Sequence, residues 1–182
     1  MKKITAALLL TTAVAAAPAA FAADNGFYAG LSLGSATTNA PAAVGATTKK
    51  TDTPYGIVGG YQFNKNFAAE VAYTGAGRFR TATTTAKADA LSIAAVGTLP
   101  LSDTFGLYGK LGFANVSSKT TGAGLGNVNR TSATYGVGLQ YNATQNIGIR
   151  FGYDRYGAAV NVNNVKQNYN ANVWGIAALY KF

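Results

Sequence analysis

The chemistry open to this chain is narrow, because its 182 residues include neither His nor Cys. Ser-His-Asp and Cys-His nucleophiles, His or thiolate zinc sites, haem attachment and disulfide frameworks are therefore excluded. Two side-chain pairs could be taken for a catalytic dyad, Asp154 with Tyr156 and Asp52 with Thr53. Both read better as polar residues at strand ends. The run Gly122-Ala123-Gly124-Leu125-Gly126 is not a phosphate cradle, since it lies in a loop rather than between a strand and a helix. No metal site and no cofactor are expected. What remains are charges: Lys and Arg number 15 against 6 Asp and Glu, a formal net charge of +9. Nucleic acid, a membrane surface and acidic ligands are the usual partners of such a balance. The basic residues stand singly among Thr and Ala, so nucleic acid is not an expected partner.

The elements that must position these charges begin after a leader. Met1-Lys2-Lys3, the apolar run Ile4 to Ala17 and the small-x-small site Ala20-Phe21-Ala22 have the form of a secretory signal peptide over residues 1–22. The apolar run falls short of the roughly 20 residues of a spanning helix. Residues 23–182 then form one domain, and loss of Lys2 and Lys3 lowers the net charge to +7.

Along that domain, large apolar residues alternate with small or polar ones at period two, the mark of strands with one apolar face. Tyr55, Ile57, Gly59, Tyr61 and Phe63 face one way, Gly56, Val58, Gly60 and Gln62 the other. The same pattern holds for 67–74, 105–113 and 147–154, and further runs near 27–35, 90–99, 133–142 and 172–182 bring the count to eight strands. The bulky face carries Phe, Tyr, Leu and Ile, while the opposite face is mainly Gly, Ala, Ser and Thr. A soluble sandwich would bury the first face and expose the second. A narrow membrane barrel does the reverse, filling its lumen with small and polar residues and turning the large ones to lipid. The predicted fold is all-β, an eight-stranded antiparallel transmembrane barrel with up-and-down connections.

Connector lengths agree with that fold. Residues 36–52, 76–88, 116–131 and 157–170 read as long loops, while 64–66, 100–104 and 142–146 are short and carry turn residues. Bacterial outer-membrane barrels place short turns on the periplasmic side and long loops outside. Aromatic pairs such as Phe67 and Tyr73, or Trp174 and Phe182, lie six to eight residues apart. On tilted strands that spacing spans roughly 15 to 20 Å, suited to two aromatic girdles around an apolar band.

With these elements in place, the chain resembles the small outer-membrane barrels of the OmpA-like transmembrane type. The matching stretches are Gly26-Phe27-Tyr28-Ala29-Gly30 with Gly34, Glu70-Val71-Ala72-Tyr73 with Gly77-Arg78, and Pro100-Leu101-Ser102-Asp103 with Tyr108 and Lys110-Leu111-Gly112. Ala143-Thr144, Asn146-Ile147, Arg150 and Tyr153 complete the set. The resemblance implies an outer-membrane location in a Gram-negative bacterium and assembly through the outer-membrane barrel machinery, with Tyr180 and Phe182 as the terminal aromatic signal. A monomer is expected, without the peptidoglycan-binding domain that often follows such barrels. It also implies a lumen network of acids and bases, in which Glu70, Lys110 and Arg150 take three places and Val96 and Gln140 stand where a second base and acid would be. Enzymes built on barrels of this kind use an active-site His, so no enzymatic activity is expected here.

Two charge groups then remain to carry function. By alternation Glu70, Lys110 and Arg150 all face the lumen, where an unpaired charge is costly, so Glu70 is expected to pair with Arg150, Lys110 or both. With one carboxylate for two bases, any leak through a narrow pore would favour anions. Lys49, Lys50, Arg78, Arg80, Lys87, Lys119, Arg130 and Lys166 lie in or beside the long connectors, against only Asp52 and Asp89. That outer rim faces the phosphates and carboxylates of lipopolysaccharide, which Lys and Arg bind electrostatically. The expected role is mainly structural, supporting the envelope through outer-membrane lipids and lipopolysaccharide. A surface adhesin acting through the four loops is the alternative, and a narrow, weakly anion-preferring pore comes third.

Overall fold

The computed structural model describes residues 25–38, 53–80, 85–121, 125–126, 128–162 and 165–182. The leader expected at 1–22 lies outside them. Eight strands form the wall: β1 (Gly26–Thr38), β2 (Tyr55–Gln62), β3 (Phe67–Arg80), β4 (Thr85–Pro100) and β5 (Phe105–Thr121) in the first part of the chain. β7 (Val128–Asn142), β8 (Ile147–Val162) and β9 (Val165–Lys181) complete it, and β6 (Leu125–Gly126) is a two-residue strand beside the end of β8. Each wall strand pairs antiparallel with the next, and β9 returns to β1 through a register running from Tyr28 opposite Lys181 to Thr38 opposite Ala171. The sheet is therefore closed into an up-and-down barrel.

The three tight turns share one device. Asn64 Oδ1 accepts hydrogen bonds from the backbone N–H groups of Asn66 and Phe67, both at 2.9 Å. Ser102 Oγ does the same for Thr104 and Phe105, and Thr144 Oγ1 for Asn146 and Ile147. A short side-chain acceptor thus replaces a backbone partner two and three residues on, which is why Asn, Ser and Thr mark these positions.

Alternation sorts the side chains as the sequence pattern requires. Phe27, Leu31, Val71, Ile93, Leu111, Val137, Phe151 and Ile176 are exposed on the outer face, Leu31 at 67%. Tyr28, Ala68, Val96, Tyr108 and Leu179 are buried inside. A continuous belt of exposed large apolar residues on a closed barrel has a favourable environment only in lipid. Aromatic clusters bracket the belt: Phe27, Tyr61 and Phe63 near the tight turns, and Phe151, Tyr153 and Trp174 toward the opposite end.

The connectors at that opposite end differ from expectation. Much of 76–88, 116–131 and 157–170 is strand rather than loop, as β3 runs to Arg80, β4 begins at Thr85, β5 runs to Thr121 and β8 to Val162. The apolar alternation stops where lipid stops, but the hydrogen-bonded ladder does not. Above the belt, Thr, Ser, Asn and Ala suit both faces of a solvated ribbon and leave no period-two contrast to read.

Replacing Val137, in the middle of the β7 belt, with Arg is expected to cost about 2–4 kcal/mol of folding stability in lipid vesicles, against about 0–1 for Leu101→Arg at the interface. Urea titration of vesicle-embedded protein measures both. Equal costs at the two depths would refute the placement of the belt.

Candidate functional site: the lumen and the outer rim

The polar network of the lumen is built by side chains on alternate positions of β1, β3, β5, β7 and β8. Glu70 from β3 and Arg150 from β8 form a buried ion pair across it. Glu70 also accepts a hydrogen bond from the Tyr28 hydroxyl at 2.6 Å, and Arg150 Nε donates to Gln140 Oε1 at 2.8 Å. The Gln140 amide in turn donates to Asn142. The guanidinium lies over the rings of Tyr28 and Tyr108, 5.6 and 5.0 Å from their centroids, which adds cation–π attraction to the pair. Space for the two phenols comes from glycine. A Cβ at Gly60 would strike the Tyr28 ring, and one at Gly152 would strike the Tyr108 hydroxyl.

Lys110 does not pair with Glu70. Its ammonium meets Asp154 of β8 at 2.9 Å, so among the described residues the centre of the lumen holds two carboxylates for two bases. The expectation of one carboxylate for two bases is thereby corrected, and with it the basis for an anion-preferring leak. Asp154 is also not the strand-end residue the sequence suggested. The signal was available in the alternation Gly148, Arg150, Gly152, Asp154, which puts residue 154 on the inner face. Tyr28, which ties Glu70 down, carried the same signal, since it shares the parity of Gly30, Ser32 and Gly34 and opposes that of Phe27, Leu31 and Leu33.

Apolar clusters lie on both sides of the charges. On the tight-turn side, Tyr28, Ala68, Val96, Tyr108 and Leu179 pack together, Val96 being 1% exposed. Toward the other end, Ala114, Val116 and Tyr156 pack with Ala90, Ala171 and Val173. A chamber of about 80 Å³, lined by Glu70, Thr74, Lys110, Arg150 and Asp154 among others, reaches from Tyr108 to Tyr156. It has room for a few waters. The centre of the lumen is thus a charge-balanced plug, in which Val96 serves the apolar cluster.

The rim residues divide by face. Lys49 and Lys50 lie outside the described residues. Lys87 and Lys119 have the outward parity of Leu91 and Phe113 on their strands, and Arg78 stands opposite Lys87 in register. Arg80 follows opposite Thr85, and Lys166 stands opposite Asn161. Arg130, by contrast, is in register with Val116, a buried inner-face residue, so it belongs to the mouth of the lumen rather than to the lipid-facing rim. Arg155 has the outward parity of Phe151 and stands between Tyr135 and Asn172, and the sequence reading overlooked it. Its signal was the continued alternation from Ile147. At the chain terminus Tyr180 is exposed, and Phe182 packs against it with ring centroids 5.2 Å apart.

The family model described as "Outer membrane protein beta-barrel domain" matches residues 6–182. No curated protein matches the chain in sequence. Among solved structures, the chain is similar to Neisserial surface protein A at 19% identity and a TM-score of 0.64, covering 86% of this chain and 97% of that one. It is similar to Ail, the attachment invasion locus protein of Yersinia pestis, at 20% identity and 0.56, covering 87% and 97%. A further structure of Ail holds the heparin analogue sucrose octasulfate. Outer membrane protein OprG of Pseudomonas aeruginosa gives 16% identity and 0.55, covering 88% and 96%.

The buried pair generates a stability prediction. Glu70→Ala leaves Arg150 charged and uncompensated and is expected to cost about 3–5 kcal/mol, most of it recovered when Arg150→Met is added. Lys110→Met is expected to cost less, because Asp154 keeps 21% side-chain exposure and access to the chamber. Urea unfolding across the double-mutant cycle reads the coupling; strictly additive losses would show that the pair contributes none.

Proposed function

The chain belongs to the outer membrane β-barrel family, and on that premise we propose that it supports the envelope mechanically, with a basic outer rim that holds the headgroups of lipopolysaccharide. The family places it in the outer membrane of a Gram-negative bacterium. Within that membrane, the observation that carries the reading is the segregation of charge. Among the described residues, the centre of the lumen pairs its charges two against two between apolar clusters. The unbalanced basic residues lie at the opposite end from the tight turns, where the outer leaflet is anionic. Lys and Arg there gain roughly 1 kcal/mol each from an anionic surface. The barrel works as a monomer, and its terminal Tyr180 and Phe182 engage the assembly machinery during biogenesis.

A second reading, adhesion to a host surface, draws on the strand hairpins that continue well past the belt and on the similar fold of Ail, the attachment invasion locus protein. Deleting residues 38–50 separates the two: a supporting barrel keeps its function, while an adhesin loses cell attachment.

For the main reading, Arg78→Glu, Arg80→Glu and Lys87→Glu together are expected to lower the lipopolysaccharide that co-purifies with the barrel several-fold at low salt. Phosphate and sugar assay of the purified protein measures it. Unchanged lipid content would mean that the rim is merely solvated.

A further inference from the structure

Three basic residues stand on one rung of the wall. Arg78 of β3 is directly opposite Lys87 of β4, and Lys87 is directly opposite Lys119 of β5. Directly paired residues share a face, and like charges so placed are destabilising. Among the described residues this is the only rung on which one basic residue faces another. The parity of Lys87 and Lys119 puts the rung on the outer face, and Lys119 is exposed. Asp89 offsets one charge, its carboxylate lying 3.4 Å from the Lys87 ammonium. Two net positive charges remain.

The height of the rung selects the ligand. On β4 the last exposed apolar residue before it is Leu91, four positions from Lys87. At about 3.3 Å per residue and a tilt near 40°, Lys87 stands roughly 10 Å beyond the belt, at the level of lipid headgroups rather than acyl chains. The shift in β3 register between Gly75 and Arg78 brings Arg78 onto the rung.

We propose that Arg78, Lys87 and Lys119 form one binding site for a phosphorylated headgroup of an outer-leaflet lipid, lipopolysaccharide being the source. A multivalent phosphate bridging the three residues converts their mutual repulsion into attraction, which no scatter of single basic residues achieves. The site rests on the rim reading above and sharpens it, concentrating binding on one rung of β3–β4–β5.

The test titrates purified, folded barrel in detergent with lipopolysaccharide, with enzymatically dephosphorylated lipopolysaccharide, and with inorganic phosphate at millimolar concentration. Two triple variants lose the same charge: Arg78→Gln, Lys87→Gln, Lys119→Gln on the rung, and Lys49→Gln, Lys50→Gln, Lys166→Gln off it. Heat-modifiable migration verifies that both are folded. The rung variant is expected to bind lipopolysaccharide about 100-fold more weakly, near five-fold per basic residue, and the off-rung variant much less so. Wild type should bind the dephosphorylated lipid as poorly as the rung variant binds the intact one. Without phosphorylated lipid, the rung variant should unfold at the same or higher urea, since repulsion is relieved. Equal losses in the two variants overturn the site while leaving rim binding intact. Failure of wild type to bind lipopolysaccharide overturns both, and saturation by inorganic phosphate overturns the lipid assignment.

Discussion

Everything in this fold follows from the cost of an unpaired backbone amide or carbonyl in hydrocarbon, several kcal/mol each. A sheet placed in lipid has no water to satisfy an edge, so it must close, and here β9 returns to β1 over eleven registered pairs. Closure at eight strands leaves an interior barely wide enough for side chains. The inner face must therefore be small, and the outer face must be apolar. The Gly, Ala, Ser and Thr of one parity and the Phe, Leu, Ile and Tyr of the other are one constraint seen from two sides.

The same closure explains why the lumen carries ion pairs rather than an apolar core throughout. A Tyr or Arg reaching in from one wall must find its partner on another, and glycines at Gly60 and Gly152 give the phenols room. Once Arg150 is inside, its charge demands Glu70, and the remaining acceptor of that network, Gln140, fixes the guanidinium plane. The second pair, Lys110 with Asp154, balances the charges at the centre of the lumen. A charge-balanced, layered centre stiffens the barrel and leaves the basic excess to its mouth and outer surface.

How much of this could be read in advance depends on where side-chain contrast exists. In the belt, Ile57, Val71, Leu107 and Phe151 announce their faces by alternation, and the strands they belong to are where the pattern puts them. Beyond the belt, contrast vanishes, and the extension of β3, β4, β5 and β8 into water is invisible to a hydrophobic pattern. Glu70, Lys110 and Arg150 were identified as inner residues by parity. The Glu70–Arg150 pair is among those parity allows, but the Lys110–Asp154 pair is not one the sequence reading names: pairing across a barrel depends on shear and tilt, and no local spacing chooses among the partners that parity permits. Arg130 shows the converse, since proximity to a connector suggested the rim while register with Val116 puts it inside.

The sequence by itself determined the class of protein, through eight apolar-faced segments and a bulky face that only lipid can accept. It also excluded His- and Cys-dependent chemistry outright. Only the tertiary structure decided how the charges are distributed between plug and surface. The reason is geometric: alternation assigns a residue to a face, but the register of separate strands assigns it to a rung. Arg78, Lys87 and Lys119 become neighbours only when three strands are laid side by side.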